Sequence, residues 1–190
     1  MKLLSTFILG LLFCVTTNAQ KFDGYVVTRS NDTIQCKFLV VTNLFTKDLF
    51  YANSVRKGVK IETKEKVKIK FKPSQLISFL IKGTNQGDFK FVSFSDDGYK
   101  FFYHEIVKGK LSYYRLYTPY QDMAVNNSFE QFVYKDNKLF KINKPKRRDS
   151  LGEFIKDYPE LYDKWMSPYE PIDINSIDYV VEIYNEHFKK

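Results

Sequence analysis

The stretch GYVVTRSNDTIQCKFLVV, residues 24–41, indicates the fold class of this chain. It contains two runs rich in β-branched and aromatic residues, separated by Asn31 and Asp32. Both of these residues tolerate the positive φ angle that a short hairpin turn requires. The stretch is therefore predicted to form a β-hairpin.

The stretch KVKIKFK, residues 66–72, shows the strictest alternation in the chain. Lys66, Lys68, Lys70 and Lys72 share one face of an extended backbone, and the apolar residues between them share the other face. This period of two is typical of a half-buried strand whose lysine face lies in water.

Turn residues interrupt later apolar and aromatic runs at Asp97-Gly98, at Gly109 and at Asp136-Asn137. Asp-Gly between such runs is the strongest of these hairpin signals. Repeated hairpins predict an antiparallel meander, either closed as a small barrel or packed as a sandwich.

The pattern changes from strands to helices near residue 149. Ser150 with Glu153 three residues later matches a capping box, which would place a helix N-cap at Ser150. Pro159 suits the first turn of a second short helix, PELYDKWM. Near the end of the chain, apolar residues recur at helical spacing and are expected to pack on the β body: Ile177, Val180, Val181, Tyr184 and Phe188.

These patterns predict a mainly β chain with C-terminal helices, which is an α+β class. Residues 20–148 are predicted to form the antiparallel β domain, and residues 149–190 a helical segment packed on it. Two or three helices would then cap the meander. The 171 residues after position 19 are enough for one domain.

Residues 1–19 have the layout of a secretory signal peptide. Lys2 precedes an apolar run, small residues follow it, and cleavage is expected between Ala19 and Gln20. The apolar run is too short for a retained membrane helix, which needs about 20 apolar residues. The mature chain is therefore predicted to be exported, as a periplasmic, outer-membrane-associated or secreted protein without an integral membrane segment.

The cysteines agree with an exported chain that needs no disulfide. Cys14 lies in the signal peptide, and Phe13 occupies the position where lipoprotein processing requires a small residue. Cys36 alone remains after cleavage, so no intrachain disulfide can form. Cys36 is expected either to be buried or to pair between chains, and burial is common for a free cysteine.

Charge is distributed unevenly along the chain. Residues 20–148 carry 25 Lys/Arg against 12 Asp/Glu, whereas residues 149–190 carry 4 against 10. A basic body favours an anionic partner such as lipopolysaccharide or an acidic glycan, and export argues against nucleic acid. Two alternatives compete: an AT-rich genome raises the lysine content without regard to function, or the acidic segment docks on the basic body.

Three stretches together resemble a group of uncharacterised exported proteins of Bacteroidetes-type bacteria. They are GYVVTRSNDTIQCKF, IVKGKLSYYRLY, and FIKDYPELYDKW with the later YVVEIYNEHF. Asn31 stands where members of the group usually have glycine. Cysteine is frequent in the group where this chain has Tyr158, so the resemblance implies that the group's disulfide is missing here. It also implies export and a β-then-helix layout, but no catalytic residue.

No catalytic or metal-binding motif fits its sequence context. SVRK, residues 54–57, matches Ser-x-x-Lys but lies in a turn-rich stretch without the companion motifs. HEIVK, residues 104–108, lacks the second histidine of a zinc helix. It has the pattern of a strand, which would place His104 and Glu105 on opposite faces. We therefore predict no catalytic residue, metal or cofactor.

Two regions are candidate ligand surfaces. Tyr113, Arg115 and Tyr117 would share one strand face, which offers aromatic rings beside a cation for stacking on sugars. The competing interpretation is that tyrosine is simply favoured in strands. The second region combines the four lysines of residues 66–72 with the KPKRR segment and its Lys146, Arg147 and Arg148.

The leading functional hypothesis is an exported, non-catalytic, β-rich protein of the cell envelope that acts through binding or assembly. A second is a binder of lipopolysaccharide or acidic glycan through lysine-rich strand faces. A third is a small hydrolase whose site has no recognisable motif. The partner is unknown, and the candidates are an envelope protein or an anionic glycan.

Overall fold

The computed structural model describes residues 21–42, 49–119, 128–169, 172–173 and 175–189. The predicted signal peptide, with Ala19 and Gln20, lies outside these residues. Ten strands are present in this part of the chain: β1 (Lys21–Thr28), β2 (Thr33–Leu39), β3 (Val59–Glu62), β4 (Lys68–Phe71), β5 (Leu76–Thr84), β6 (Gly87–Val92), β7 (Tyr103–Val107), β8 (Ser112–Tyr117), β9 (Phe129–Lys135) and β10 (Lys138–Lys141). Three α-helices follow: α1 (Arg147–Ile155), α2 (Pro159–Met166) and α3 (Ile177–His187).

All ten strands belong to one antiparallel sheet with the order β10-β9-β8-β7-β6-β5-β1-β2-β3-β4. Strand β1 lies inside the sheet, β2 to β4 extend it in one direction, and β5 to β10 extend it in the other. The predicted mainly β class with C-terminal helices is confirmed. Of the two predicted forms of the meander, the barrel is wrong, because β4 and β10 remain the two edges of the sheet.

The short hairpin turns lie where turn residues predict them, and one predicted tight turn is instead long. Asn31 has a φ of 66° between β1 and β2, and Asp136 and Asn137 have φ of 51° and 61° between β9 and β10. Strands β6 and β7 pair as predicted, but Asp97-Gly98 occupies the middle of a connection that runs from residue 93 to 102. Phe94 and Phe101 of this connection pack on the sheet, which explains its length.

In the helical segment, one predicted helix start is confirmed and the other is wrong. Helix α2 begins at Pro159, as predicted. The predicted N-cap at Ser150 is wrong, because α1 already begins at Arg147 and makes no side-chain capping hydrogen bond. A 3₁₀ turn over Lys144–Lys146 leads directly into the helix, so the backbone is helical before it reaches Ser150. The Glu153 carboxylate pairs with Lys156 at 2.7 Å instead of capping the helix.

The two faces of the sheet carry different residues. Val26, Phe79, Phe91, His104 and Arg115 face one another in register across β1, β5, β6, β7 and β8. We call the face that carries them the inner face and the opposite one the outer face. Helix α3 packs over β7 and β8 on the inner face, because its Asp178 reaches Arg115.

The inner face carries two separate apolar clusters. The first lies over β1, β2, β3, β5 and β6, and the segment from Phe50 to Val55 packs on it. The second joins the helices to β8 and β9 through Tyr113 and Val133. A polar row of His104, Arg115 and Gln131, paired in register on β7, β8 and β9, separates the two clusters.

Cys36 belongs to the first cluster. It is a free, buried thiol, and burial raises its pKa to about 11. A thiol with such a pKa is a poor nucleophile at neutral pH. Of the two alternatives for Cys36, the structure supports burial.

Gly24 is required where β1 passes between its two neighbours. A Cβ atom at this position would lie 1.9 Å from the Leu80 carbonyl oxygen on β5 and 2.7 Å from the Phe38 ring on β2. Real Cβ contacts of this kind do not occur, so any side chain here would push β1 away from β5. The close approach of the central strands therefore depends on glycine.

We expect Gly24→Ala to lower the free energy of unfolding by about 3 kcal/mol, because the overpacked strand has to move against backbone atoms. Asp23→Ala is the matched control on the same strand: its side chain is 77% exposed, and its loss should cost less than about 0.5 kcal/mol. Urea unfolding followed by circular dichroism measures both values. Equal stability of the two variants would show that β1 tolerates a side chain at position 24.

Helix α3 is held to the β7–β8 turn by a buried amide. The Asn185 side chain accepts a hydrogen bond from the Leu111 backbone N–H at 2.9 Å and donates one to the Leu111 carbonyl oxygen at 2.8 Å. Gly109 leaves room for this contact, since an added Cβ would lie 2.3 Å from the Asn185 side chain. The pair fixes the position of α3 on the sheet.

We expect Asn185→Ala to lower the free energy of unfolding by about 3 kcal/mol, because it leaves the buried N–H and carbonyl of Leu111 without partners. Glu186→Ala changes the next, exposed residue of the same helix and should cost less than about 0.5 kcal/mol. Thermal unfolding of both variants tests this difference. If both substitutions lowered the free energy of unfolding by the same small amount, α3 would not need the Asn185 contact.

Candidate functional site

The four lysines of residues 66–72 are all exposed, but only two lie in a strand. Lys68 and Lys70 point from β4 to the outer face, as the alternation predicts. Lys66 lies in the β3–β4 turn with a φ of 61°, and Lys72 follows the strand just before Pro73. Val67 was expected on the buried face, and this is wrong: its side chain is 54% exposed because the strand begins only at Lys68.

A groove of about 490 Å³ lies beside these lysines, on the outer face of β1, β2 and β3. We call it the lysine groove. Its charged and polar lining consists of Lys37, Lys64, Lys66, Lys82, Asp23, Glu62, Gln35 and Thr63. The backbone of β1 and β2 at Gly24 and Cys36 completes the lining.

Both acidic residues of the groove are already paired with lysine. Lys21 Nζ donates to Glu62 Oε1 at 2.7 Å, and Lys37 Nζ lies 3.4 Å from Asp23 Oδ1. The hydrogen bond from Lys21 is the main reason why the pKa of Glu62 is lowered. Each carboxylate is therefore engaged with its own lysine, and the two carboxylates do not balance the remaining lysines of the groove.

The outer face next to the groove carries a like-charge pair. Lys60 on β3 lies directly opposite Lys70 on β4, whereas Lys68 lies opposite Glu62. Like charges in opposite positions of a β-ladder destabilise it. We call Lys60, Lys64, Lys66, Lys68, Lys70 and Lys82 together the basic surface; none of them forms an ion pair with another described residue.

The acidic helices do not cover the basic surface. Asp157, after α1, pairs with Lys135 at 3.1 Å and with Lys110 at 4.0 Å, and Asp178 of α3 lies 3.8 Å from Arg115. These cations belong to β8, β9 and the β7–β8 turn. Docking of the acidic segment therefore explains part of the charge on β7 to β9, but not the lysines of β3 and β4.

The expectation of exposed tyrosines on β8 is wrong. Tyr113 and Tyr117 share one face with Arg115, as the alternation predicts, but their exposed fractions are 1% and 5%. The helices cover Tyr113, whereas Tyr117 is buried in the first apolar cluster. Tyr114 on the outer face is covered as well, at 5%. The Tyr113 hydroxyl accepts hydrogen bonds from Gln131 Nε2 at 2.9 Å and from Arg115 Nε at 3.3 Å. This strand face is interior and offers no stacking surface.

The last two residues of the KPKRR segment, Arg147 and Arg148, have structural roles. The Arg148 guanidinium donates to the carbonyl oxygens of Trp165 and Ile172 and lies over the Trp165 ring. Arg147 donates to Asn175 Oδ1 at 2.7 Å. Lys144 and Lys146, earlier in the segment, are exposed. Arg147 and Arg148 therefore join α1 to the rest of the helical segment, and these contacts account for their positions without a ligand.

His104 lies at the polar row and has the environment of a structural histidine. Its ring stacks on Phe89, with centroids 4.6 Å apart, and its Nδ1 lies 2.9 Å from the Tyr117 hydroxyl. Burial, together with the positive charge of Arg115, lowers the pKa of His104 to about 3. Glu105 points to the outer face, as predicted, and pairs with Lys90 at 2.8 Å.

The two histidines lie far apart in the fold. His187 stacks on Tyr158, with centroids 3.8 Å apart, in a different cluster from His104. Within the described ranges, no group of three or more His, Cys, Asp or Glu side chains is close enough to hold a metal ion.

The low pKa of His104 predicts a pH dependence of stability. As the pH falls below about 6.5, the unfolded chain takes up a proton at this histidine and the folded chain does not, so stability falls until about pH 3. Between about pH 6 and 5, we expect a slope of up to about 1.4 kcal/mol per pH unit. His104→Phe, which keeps an aromatic ring, should remove this contribution. An identical slope in the variant would contradict the assignment.

Comparisons of this chain with protein-family models, with curated proteins and with solved structures give no match. No helix in the described part of the chain has the length and apolar character needed to cross a membrane.

Sequence reasoning missed several residues of the site. Lys37 and Lys60 alternate with buried neighbours in β2 and β3, so the same period-two pattern indicates their outward orientation. Lys64 and Lys82 lie in or near turns and carry no such signal. Their approach to the same groove depends on the pairing of strands that are distant in sequence.

Proposed function

We propose that this chain is an exported, non-catalytic protein of the cell envelope and that it acts by binding an anionic ligand at the basic surface. The observation that carries the proposal is the set of exposed lysines without ion-pair partners among the described residues, beside a groove of about 490 Å³. Export is supported by the sequence of residues 1–19 alone.

The chemistry of the groove suits an acidic sugar polymer or the phosphorylated sugars of lipopolysaccharide. Lysine ammonium groups are compact, hydrated charges that bind phosphate or carboxylate as point charges. Gln35 and Thr63 add an amide and a hydroxyl, which can exchange hydrogen bonds with sugar hydroxyls. The like-charge contact of Lys60 with Lys70 would be relieved when an anion binds.

The low pKa of His104 and its packing favour a binding role for this chain over a hydrolytic one. A general base works best with a pKa near the working pH, and the pKa of His104 is about 3. Its ring also stacks on Phe89 and on Tyr117, so it serves the packing of the inner face. The hydrolase hypothesis therefore gains no support from this residue.

The test compares two triple variants that change net charge equally. Lys64→Glu/Lys66→Glu/Lys82→Glu alters the basic surface, whereas Lys100→Glu/Lys108→Glu/Lys138→Glu alters exposed lysines elsewhere. Binding of residues 20–190 to purified lipopolysaccharide and to an acidic polysaccharide is measured over a salt series. We expect the first variant to bind at least about tenfold more weakly, the second to bind nearly as wild type, and wild-type binding to weaken as salt rises.

Equal losses in the two variants would show that only net charge matters and would overturn the proposed site. Binding that does not depend on salt would also contradict it. No binding by the wild-type chain to either ligand would overturn the proposed ligand class.

A further inference from the structure

Strands β1 to β6 and the helical segment have opposite net charge. The described residues of β1 to β6 and their connections, 21–42 and 49–92, carry 13 Lys/Arg against 5 Asp/Glu, whereas residues 149–190 carry 4 against 10. The acids that pair with the body, Asp157 and Asp178, use only Lys110, Lys135 and Arg115. In the described part of the monomer, the acidic residues of the helices and the lysines of β3 and β4 form no ion pair with each other.

Helix α3 presents an exposed acidic stripe. Tyr179, Glu182 and Glu186 follow one another at spacings of three and four residues, so they lie on the same side of the helix. All three are exposed, and the Tyr179 side chain is 54% exposed. We call these three residues the acidic stripe. The opposite side of α3, with Val180, Val181 and Tyr184, is buried.

Both surfaces carry an electrostatic cost within the monomer. Glu182 and Glu186 repel each other at i,i+4 spacing, and Glu186 lies in the last turn, where the helix dipole disfavours negative charge. Lys60 and Lys70 repel each other across β3 and β4. Contact between the two surfaces would relieve both repulsions.

Each surface also contains an exposed apolar side chain. Tyr179 lies within the acidic stripe, and Val67, 54% exposed, lies between Lys66 and Lys68. Large apolar groups surrounded by charge are the usual anchors of a contact whose rim is polar.

We propose that the acidic stripe of one molecule docks on the basic surface of a second copy of this chain. The inference goes beyond the proposed function, because it needs no envelope ligand. The two surfaces lie in opposite halves of the strand order and on opposite faces of the sheet. One contact therefore leaves a free acidic stripe and a free basic surface at the ends, and further copies extend a head-to-tail row.

Charge reversal on each side supplies the test. Lys68→Glu/Lys70→Glu makes the outer face of β4 acidic, and Glu182→Lys/Glu186→Lys makes the stripe of α3 basic. Each variant alone would bring like charges together, whereas an equimolar mixture would again offer opposite charges. Circular dichroism first confirms that both variants are folded.

Sedimentation velocity of residues 20–190 without ligand, from ~0.02 M to ~0.5 M salt, measures the association. We expect the wild-type sedimentation coefficient to rise steadily with protein concentration at low salt and to stay monomeric at high salt. Each variant alone should stay monomeric, and the mixture should associate. The Lys→Glu variant is informative because its lower net charge would by itself favour non-specific association.

A wild-type chain that is monomeric at every concentration and salt would overturn the proposal. The proposal would also be overturned if each charge-reversal variant still associated on its own, or if their mixture stayed monomeric. The ligand assay of the proposed function is independent of this result, since the sedimentation runs contain no lipopolysaccharide or glycan.

Discussion

The pair of hydrogen bonds between the Asn185 side chain and the Leu111 backbone fixes where the acidic helices lie. It holds α3 over β7 and β8, where Asp178 and Asp157 meet three cations of the body. Had the same helices packed on β3 and β4, their carboxylates would neutralise the lysines there. The separation of charge depends on where the helices lie, and this buried contact and the apolar cluster beneath the helices together determine that position.

The sheet is continuous, but the interior that it covers is divided. His104, Arg115 and Gln131 form a polar row between the strand cluster and the helix cluster. Each of them has one polar atom hydrogen-bonded to the hydroxyl of Tyr113 or Tyr117, which limits the cost of placing it in the interior. The buried aromatic and cationic groups that resemble a ligand site in the sequence thus lie between the two clusters, and the proposed ligand surface lies on the outer face.

Local patterns predicted the elements of this fold well, because strand and helix periodicity is local. The alternation of β4, the turn at Asn31 and the start of α2 at Pro159 could all be read from neighbouring residues. The burial of Tyr113 and Tyr117 could not, because a period of two shows which residues share a face and not what covers that face. The lysine groove could not be predicted either. It is formed by the pairing of strands across the sheet, so no short stretch of sequence contains it.

The central claim is that the outer face of β3 and β4 bears a positive potential that the acidic helices leave intact. Paramagnetic relaxation of backbone amide protons by an anionic and by a cationic nitroxide cosolute measures this potential residue by residue. The account predicts stronger relaxation by the anionic probe at residues 60–70, and stronger relaxation by the cationic probe along the exposed side of α3. Equal relaxation by the two probes at residues 60–70 would contradict it, because the lysines would then be neutralised within the protein.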